Sequence, residues 1–232
     1  AALSVPLDGW GRSGDPPDPR SAESSEEPDR RTPFPFHLMG PLIIPTPIED
    51  PSGHALDAFH AALRRAATRK GQARIAWYGA SHTAGDLFTG LIRRELQLRY
   101  GDAGHGFVLP AKPWNWYRHQ DVNLEGTLTW RADRIGKSDA LRDGLYGLAG
   151  VSIASKRRRD FGRVRTTDEA PVGRTVSRFE VWFLRRPGGG SFDVRIDDRR
   201  VRRIRTAAAV SQPGYAEFKI RDGAHALEVR PV

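Results

Sequence analysis

A short apolar run between two helical patterns constrains the fold of this chain more than any other feature. Residues Arg74 to Tyr78 read Arg-Ile-Ala-Trp-Tyr, which is typical of a strand buried on both faces. Apolar residues recur at helical spacing before the run, from Leu56 to Ala67, and again after it, beginning at Leu87 and Leu91. Gly79 ends the run. Helix, strand, tight turn and helix in this order predict an α/β sheet domain.

The sequence on either side of this unit has a different character. Residues 1–50 are rich in proline, and Ser21 to Arg31 is almost wholly polar, so we expect a largely disordered linker there. From about Gly126 onward, short alternating runs between turn signals predict a β-sandwich. The predicted strands are Thr127–Trp130, Leu145–Ile153, Thr175–Leu184, Phe192–Ile196, Val201–Thr206, Tyr215–Ile220 and Ala224–Arg230. We therefore expect a linker over 1–50, the helix–strand–helix unit over 51–115 and the sandwich over 116–232.

Composition narrows the classes of function. The chain has no cysteine, which excludes disulfides and thiolate metal sites, and no apolar run approaches the about 20 residues that span a bilayer. No histidine and carboxylate cluster has metal-ligand spacing, so we expect no metal and no cofactor. The formal charge of +9 raises the question of a nucleic-acid partner. Its arginines lie in separate runs, however, and the run from Arg199 to Arg205 is typical of a strand surface. We expect no nucleic-acid partner; the charge is equally compatible with an anionic glycan.

Ser81 stands between the predicted strand and the second helix. Open α/β sheets place ligand sites at this position, and the first N–H groups of a helix can stabilise an oxyanion. Gly79 permits a sharp bend, and Gly85 permits the close approach of backbone or substrate. From the local pattern alone, two interpretations stay open: Ser81 caps the helix, or Ser81 is a nucleophile.

The wider motif resembles that of a known enzyme family. Gly79 to Asp86 reads Gly-Ala-Ser-His-Thr-Ala-Gly-Asp, and Tyr100 to Val108 reads Tyr-Gly-Asp-Ala-Gly-His-Gly-Phe-Val. Together these segments resemble the first motif region of the SGNH (GDSL-like) hydrolases, in particular the peptidoglycan O-acetylesterases. The resemblance runs from about Ile48 to Pro113, and over the strand-rich remainder it concerns architecture only.

The resemblance implies a bacterial serine esterase, periplasmic or secreted, that removes O-acetyl groups from a glycan such as peptidoglycan. It implies Ser81 as the nucleophile, with its own N–H as one oxyanion donor. It also implies that 51–115 begins a flavodoxin-like, three-layer SGNH unit, into which 116–232 is inserted as a jelly-roll-like sandwich similar to a carbohydrate-binding module. In the family, a later glycine and asparagine complete the oxyanion hole, and a closing Asp-x-x-His motif supplies acid and base.

The sequence departs from the family pattern in two places. Ala80 stands where the family has aspartate, so the hydrogen bonds of that carboxylate around the turn are lost. The predicted sandwich finishes near Val232, and neither the asparagine block nor the closing Asp-x-x-His has appeared by then. We therefore expect the rest of the sheet to be encoded beyond Val232, and little activity from this chain alone.

Several other residues are weaker catalytic candidates. Asp57 and His60 form an Asp-x-x-His sequence, but their spacing on a helix favours a surface pair. His82 directly follows the serine, and neighbours on such a turn usually point apart. His105 and His119 are predicted in loops and stay open as bases.

Aromatic residues near the end of the first unit are candidates for substrate binding. Trp114, Trp116 and Tyr117 could stack on sugar rings, although they equally suit the junction between the two predicted domains. Asp86 is interpreted as a first-turn helix residue favoured by the helix dipole. The alternative function is a non-catalytic glycan-binding protein that uses the sandwich, and a polyanion-binding protein is a third.

Overall fold

The computed structural model describes residues 48–137, 140–141 and 143–232. The predicted linker over 1–50 lies almost entirely outside these residues. Residues 50–232 belong to one unit, whose described residues form three helices followed by nine strands. The chain is therefore a mixed helix and strand protein. Within the described residues, no helix has the length and apolar character needed to cross a membrane.

The helices occupy the first half of this unit. α1 spans Asp57–Ala67, α2 is a single turn over Ser81–Ala84, and α3 spans Leu87–Tyr100. α1 buries Leu63, and both α1 and α2 contact α3. α3 ends at Gly101, whose φ of 108° is readily adopted only by glycine. The two helices predicted from apolar spacing are thus present in the structure.

The strand predicted over Arg74–Tyr78 is absent from the structure. Ile75, Trp77 and Tyr78 are between 47% and 74% exposed. A central strand needs a hydrogen-bonded neighbour on each side, and none of the described strands pairs with this run. The prediction of a buried strand is wrong for this reason: the apolar run has no partner strand in the described chain.

α3 packs against the protein with the opposite side from the one expected. The predicted apolar stripe includes Leu87, Leu91 and Leu98, and each of them is more than half exposed. Asp86 and Gly90 are buried instead. With no sheet to cover its apolar side, the helix is held through its polar side.

In the described part of the chain, nine strands form three antiparallel sheets. They are β1 (Asn123–Gly126), β2 (Arg131–Arg134), β3 (Val151–Ala154), β4 (Gly162–Arg165), β5 (Val176–Arg185), β6 (Ser191–Ile196), β7 (Arg199–Arg205), β8 (Gln212–Gly223) and β9 (Ala226–Pro231). A five-stranded sheet has the order β1-β4-β9-β6-β7, and the pairs β2-β3 and β5-β8 form two smaller sheets. Val194, Ile204 and Val229 of the large sheet share a core with Ala216 and Phe218 of β8. The large sheet and the β5-β8 sheet therefore pack on each other.

The last five predicted strands are confirmed as β5 to β9, with their ends within three residues of the prediction. The strand predicted over Thr127–Trp130 is wrong, because these residues form the connection between β1 and β2. There the Trp130 indole N–H donates to the Phe161 carbonyl over 3.1 Å. Of the strand predicted over Leu145–Ile153, only the end lies in β3. The jelly-roll topology and the domain boundary near 115 stay predictions.

Candidate functional site

Ser81 is the first residue of α2 and is exposed. Ala80 precedes it at the N-cap, with extended backbone, and its carbonyl accepts the N–H groups of Thr83 and Ala84, each over 3.0 Å. No side chain caps this helix. The interpretation of Ser81 as the cap is therefore wrong, and its hydroxyl lies at the surface.

Close packing on both sides fixes the turn that carries Ser81. A Cβ atom on Gly79 would lie 2.3 Å from the Thr83 hydroxyl oxygen, so any larger residue there would force the Thr83 side chain to move. Beyond the turn, the Phe88 ring of α3 meets Trp77 edge-on, with 5.1 Å between centroids, and His82 at 5.7 Å. The short helix is thus attached to α3 through aromatic contacts, and His82 takes part in that packing.

A buried carboxylate joins the start of α3 to a distant loop. Asp86 accepts hydrogen bonds from the Thr89 hydroxyl (2.7 Å), from both terminal nitrogens of Arg93 (3.1 and 2.8 Å) and from the Gln120 N–H (2.7 Å). The Gln120 amide also donates to the Asp86 carbonyl over 2.6 Å. Asp86 is therefore the N-cap residue of α3, with a left-handed φ of 52°, and not the first-turn residue that the sequence suggested.

The charge state of this cluster follows from its contacts. Burial alone would raise the pKa of Asp86, but the hydrogen bonds from Arg93, Thr89 and the Gln120 N–H outweigh burial and hold it below its ordinary value. Burial and the nearby Arg93 charge lower the pKa of His119 to about 4. Because His119 is then neutral near pH 7, Arg93 is the cation that stabilises the Asp86 carboxylate.

The two loop histidines lie next to each other in the same cluster. The rings of His105 and His119 meet edge-to-face with 5.8 Å between centroids. His105 Nε2 lies 3.1 Å from the Gly173 carbonyl, and His119 Nδ1 lies 3.2 Å from the Gln120 carbonyl. Burial lowers the pKa of His105 as well. His105 therefore pairs with a backbone carbonyl, and His119 pairs with a backbone carbonyl and with Arg93, 3.4 Å away. Within the described residues, neither ring is hydrogen-bonded to Ser81.

The Asp-x-x-His sequence on α1 does not form a pair. Asp57 binds His54 instead, with 2.9 Å between its carboxylate and Nδ1, and both side chains are exposed. His60 is also exposed. These contacts agree with a surface role for the segment.

The three candidate aromatic residues form one cluster. Trp114 lies between its partners, with ring centroids 5.1 Å from Trp116 and 5.8 Å from Tyr117. The Tyr117 hydroxyl accepts the Leu109 N–H over 3.0 Å, and burial raises the pKa of Tyr117 to about 12. Trp116 is 55% exposed. Tyr117 thus anchors the loop, whereas much of the Trp116 side chain is open to solvent.

Within the described residues no hydrogen bond occupies the Ser81 hydroxyl, which lies on the first turn of a helix, where backbone N–H groups have no partner inside the helix. These are the parts of an acyl-transfer site that a nucleophile and an oxyanion need. Among the described residues, no group of three histidines or carboxylates is placed to hold a metal ion. The Asp86 cluster was not predicted, although the seven-residue spacing of Asp86 and Arg93 places them two turns apart on one side of a helix.

No protein-family model and no curated protein matches the chain. Among solved structures, the chain is similar to one described as a peptidoglycan O-acetylesterase in action. The two are 21% identical, with a TM-score of 0.38, over 66% of this chain. The match spans 40% of the length of that solved chain.

Proposed function

We propose that this chain carries the nucleophile of a serine ester hydrolase that removes O-acetyl groups from a glycan. The observation that carries the proposal is the exposed Ser81 hydroxyl on the first turn after Gly79, where Ala80 is the N-cap residue of the helix. A serine that neither caps its helix nor lies buried is free to act on a substrate. The resemblance of Gly79 to Asp86 to the SGNH motif supports the same role.

In this reaction the Ser81 oxygen attacks the acetyl carbonyl carbon while a general base removes the hydroxyl proton. The tetrahedral oxyanion then accepts the Ser81 N–H. When it collapses, the bond to the sugar oxygen breaks and the sugar leaves as an alcohol with the proton. Water hydrolyses the acetyl-enzyme to acetate. Because the His105 ring is partly buried beside the Gly173 carbonyl and the His119 ring is bonded within the Asp86 cluster, we propose that the base is a histidine that the described residues do not bring to Ser81.

The exposed apolar surfaces support a larger α/β domain around this site. The run Arg74–Tyr78 and the stripe of α3 that begins at Leu87 both face solvent. In a three-layer SGNH unit such a run would lie in the sheet and such a stripe would cover it. We propose that both surfaces are buried in the complete domain. Trp116 is the proposed sugar-stacking residue of the aromatic cluster.

The nucleophile is tested by replacing Ser81 with alanine in the longest form of the protein that its gene encodes. Hydrolysis of p-nitrophenyl acetate and acetate release from acetylated peptidoglycan should each fall at least about a thousandfold. Ser177→Ala is the matched control, because Ser177 is an exposed serine on β5. Equal rates for the Ser81 variant and the unaltered protein would refute the assignment. The alternative of a glycan-binding protein without catalysis gains no support from the surroundings of Ser81.

A further inference from the structure

β7 is an outer strand of the five-stranded sheet and consists mainly of arginine. Among its seven residues only Ile204 is buried. The exposed arginines are Arg199, Arg200, Arg202, Arg203 and Arg205. Because β7 has a partner on one side only, this charge lies along an open backbone edge.

A bulge distributes the arginines to both sides of the strand. The register between β6 and β7 shifts at Val201, which has no partner on β6. As a result, Arg199 and Arg202 lie on the same side as the buried Ile204, and the other three arginines lie on the opposite side. The guanidinium of Arg202 lies 5.1 Å from the centroid of the Phe218 ring. This cation–π contact holds Arg202 at the edge of the core.

One carboxylate neutralises part of this charge. Asp193 on β6 accepts two hydrogen bonds from Arg203, over 2.8 and 3.0 Å, and lies 3.8 Å from Arg200. The hydrogen bond from Arg203, together with the surrounding arginine charge, outweighs burial and holds the pKa of Asp193 below its ordinary value. Asp193 therefore stays ionised and serves two of the five arginines.

The positive charge of the other three arginines is not neutralised by the described carboxylates. Arg199, Arg202 and Arg205 form no ion pair with any carboxylate of the described residues. The carboxylates of the β6–β7 hairpin are paired elsewhere: Asp197 with His225 and Asp198 with Arg163. The edge therefore carries positive charge that the neighbouring strands leave uncompensated.

We propose that the open edge of β7 binds a linear polysaccharide that carries carboxylate groups. A shallow groove lined by Arg200, Val201, Arg202 and Arg203 gives the polymer a place along the strand. One exposed ion pair contributes little binding free energy. Several ion pairs to one polymer chain bind more tightly, because every pair after the first forms within an existing complex. The free N–H and C=O groups of the edge can bind sugar hydroxyls. This binding does not depend on the role of Ser81.

The same edge shows how it would hold a carboxylate. Arg203 binds Asp193 through Nε and a terminal nitrogen, which is the planar two-bond geometry that a guanidinium offers a carboxylate. The groove has no aromatic side chain in its lining on which a base could stack. The first feature shows that a carboxylate fits this edge, and the second argues against a single-stranded nucleic acid, whose bases stack on aromatic side chains.

Calorimetric titration with polygalacturonate at low salt tests the proposal. The test variant replaces the three uncompensated arginines by glutamine: Arg199→Gln, Arg202→Gln and Arg205→Gln. The control variant removes the same charge from an exposed loop between β3 and β4: Lys156→Gln, Arg158→Gln and Arg159→Gln. Arg205→Gln alone is measured as well, so that a folding defect of the triple variant does not decide the outcome. Methyl-esterified polygalacturonate and a single-stranded DNA of equal charge serve as ligand controls.

We expect the test variant to bind polygalacturonate at least about tenfold more weakly, and the control variant within about twofold of the unaltered protein. The uncharged methyl ester should not bind. Equal losses in both triple variants would reduce the effect to net charge and overturn the proposal. Unchanged affinity in the test variant would also overturn the proposal. The arginines would then serve only to keep an edge strand from pairing with other chains. DNA bound as tightly as polygalacturonate, with the same loss, would overturn the preference for a carboxylated sugar.

Discussion

Replacing His119 by glutamine should make the protein less sensitive to mild acid. The His119 side chain is 9% exposed, and its Nδ1 lies 3.4 Å from Arg93 and 3.6 Å from the Asp86 carboxylate. Burial and the Arg93 charge lower the pKa of His119 from the ordinary 6.5 to about 4. Between these two values the unfolded chain binds a proton that the folded chain does not. The free energy of unfolding must therefore fall as the pH falls through this window.

The size of the effect follows from the same pKa. A shift of one pKa unit corresponds to about 1.4 kcal/mol. Between about pH 7.5 and about pH 5.0, the proton on unfolded His119 should lower the free energy of unfolding by about 2 kcal/mol, and the full loss by pH 4 is about 3 kcal/mol. His105, whose pKa is also lowered, adds a loss of the same sign that the substitution leaves in place.

Urea unfolding at these two pH values measures the difference. The fall in unfolding free energy should be about 2 kcal/mol smaller in His119→Gln than in the unaltered protein. His225→Gln gives a control of opposite sign, because a hydrogen bond to Asp197 raises the pKa of His225. Protonated His225 stabilises the fold below pH 6.5, and this contribution is lost as the pH rises through the folded pKa of His225. Because His225→Gln removes that contribution at about pH 5.0, the free energy of unfolding of this variant should fall further between about pH 7.5 and about pH 5.0 than that of the unaltered protein. An equal fall in His119→Gln and the unaltered protein would show that burial does not keep His119 neutral.

Two glycine substitutions test the close contacts around the site. In Gly79→Ala the new Cβ would meet the Thr83 hydroxyl at 2.3 Å, so we expect a loss of about 1–3 kcal/mol in urea unfolding. Adding Thr83→Ala should restore part of it, and no restoration would contradict this contact as the cause. In Gly90→Ala the Cβ would lie 2.8 Å from the Gln120 side chain, which is held by its bonds to Asp86. A net loss of about 1–2 kcal/mol is expected despite the better helix propensity of alanine, and a gain would show that Gln120 moves aside freely.

The later strands could be predicted because their signals are local. β5 and β8 alternate apolar and polar residues between turn residues, and burial on one face follows from that alternation. The hairpin between β6 and β7 turns at Asp197 and Asp198, whose φ values of 49° and 66° suit a tight two-residue turn. Such signals need no knowledge of distant residues.

For the helix–strand–helix unit predicted over 51–115, local signals could not predict which residues are buried. The run Arg74–Tyr78 has the composition of a central strand, but whether a strand forms depends on partners elsewhere in the chain. The contact between Asp86 and Gln120 likewise depends on the path of a loop, because 34 residues separate the two. Ser81 begins a helical turn just before α3, but the strand expected ahead of it is absent. The exclusion of its capping role required the backbone hydrogen bonds of Ala80.

The two unexpected faces of α3 have one explanation. Its polar side is packed because the loop that carries Gln120 supplies the donors that Asp86 needs. Its apolar stripe stays exposed because burial there needs a sheet, and the run Arg74–Tyr78 has no partner strand in the described chain. In the domain proposed above, the stripe would cover the run as a helix covers a sheet, and Ser81 lies in the sequence between them. Formation of that interface would therefore bury the segments on both sides of Ser81.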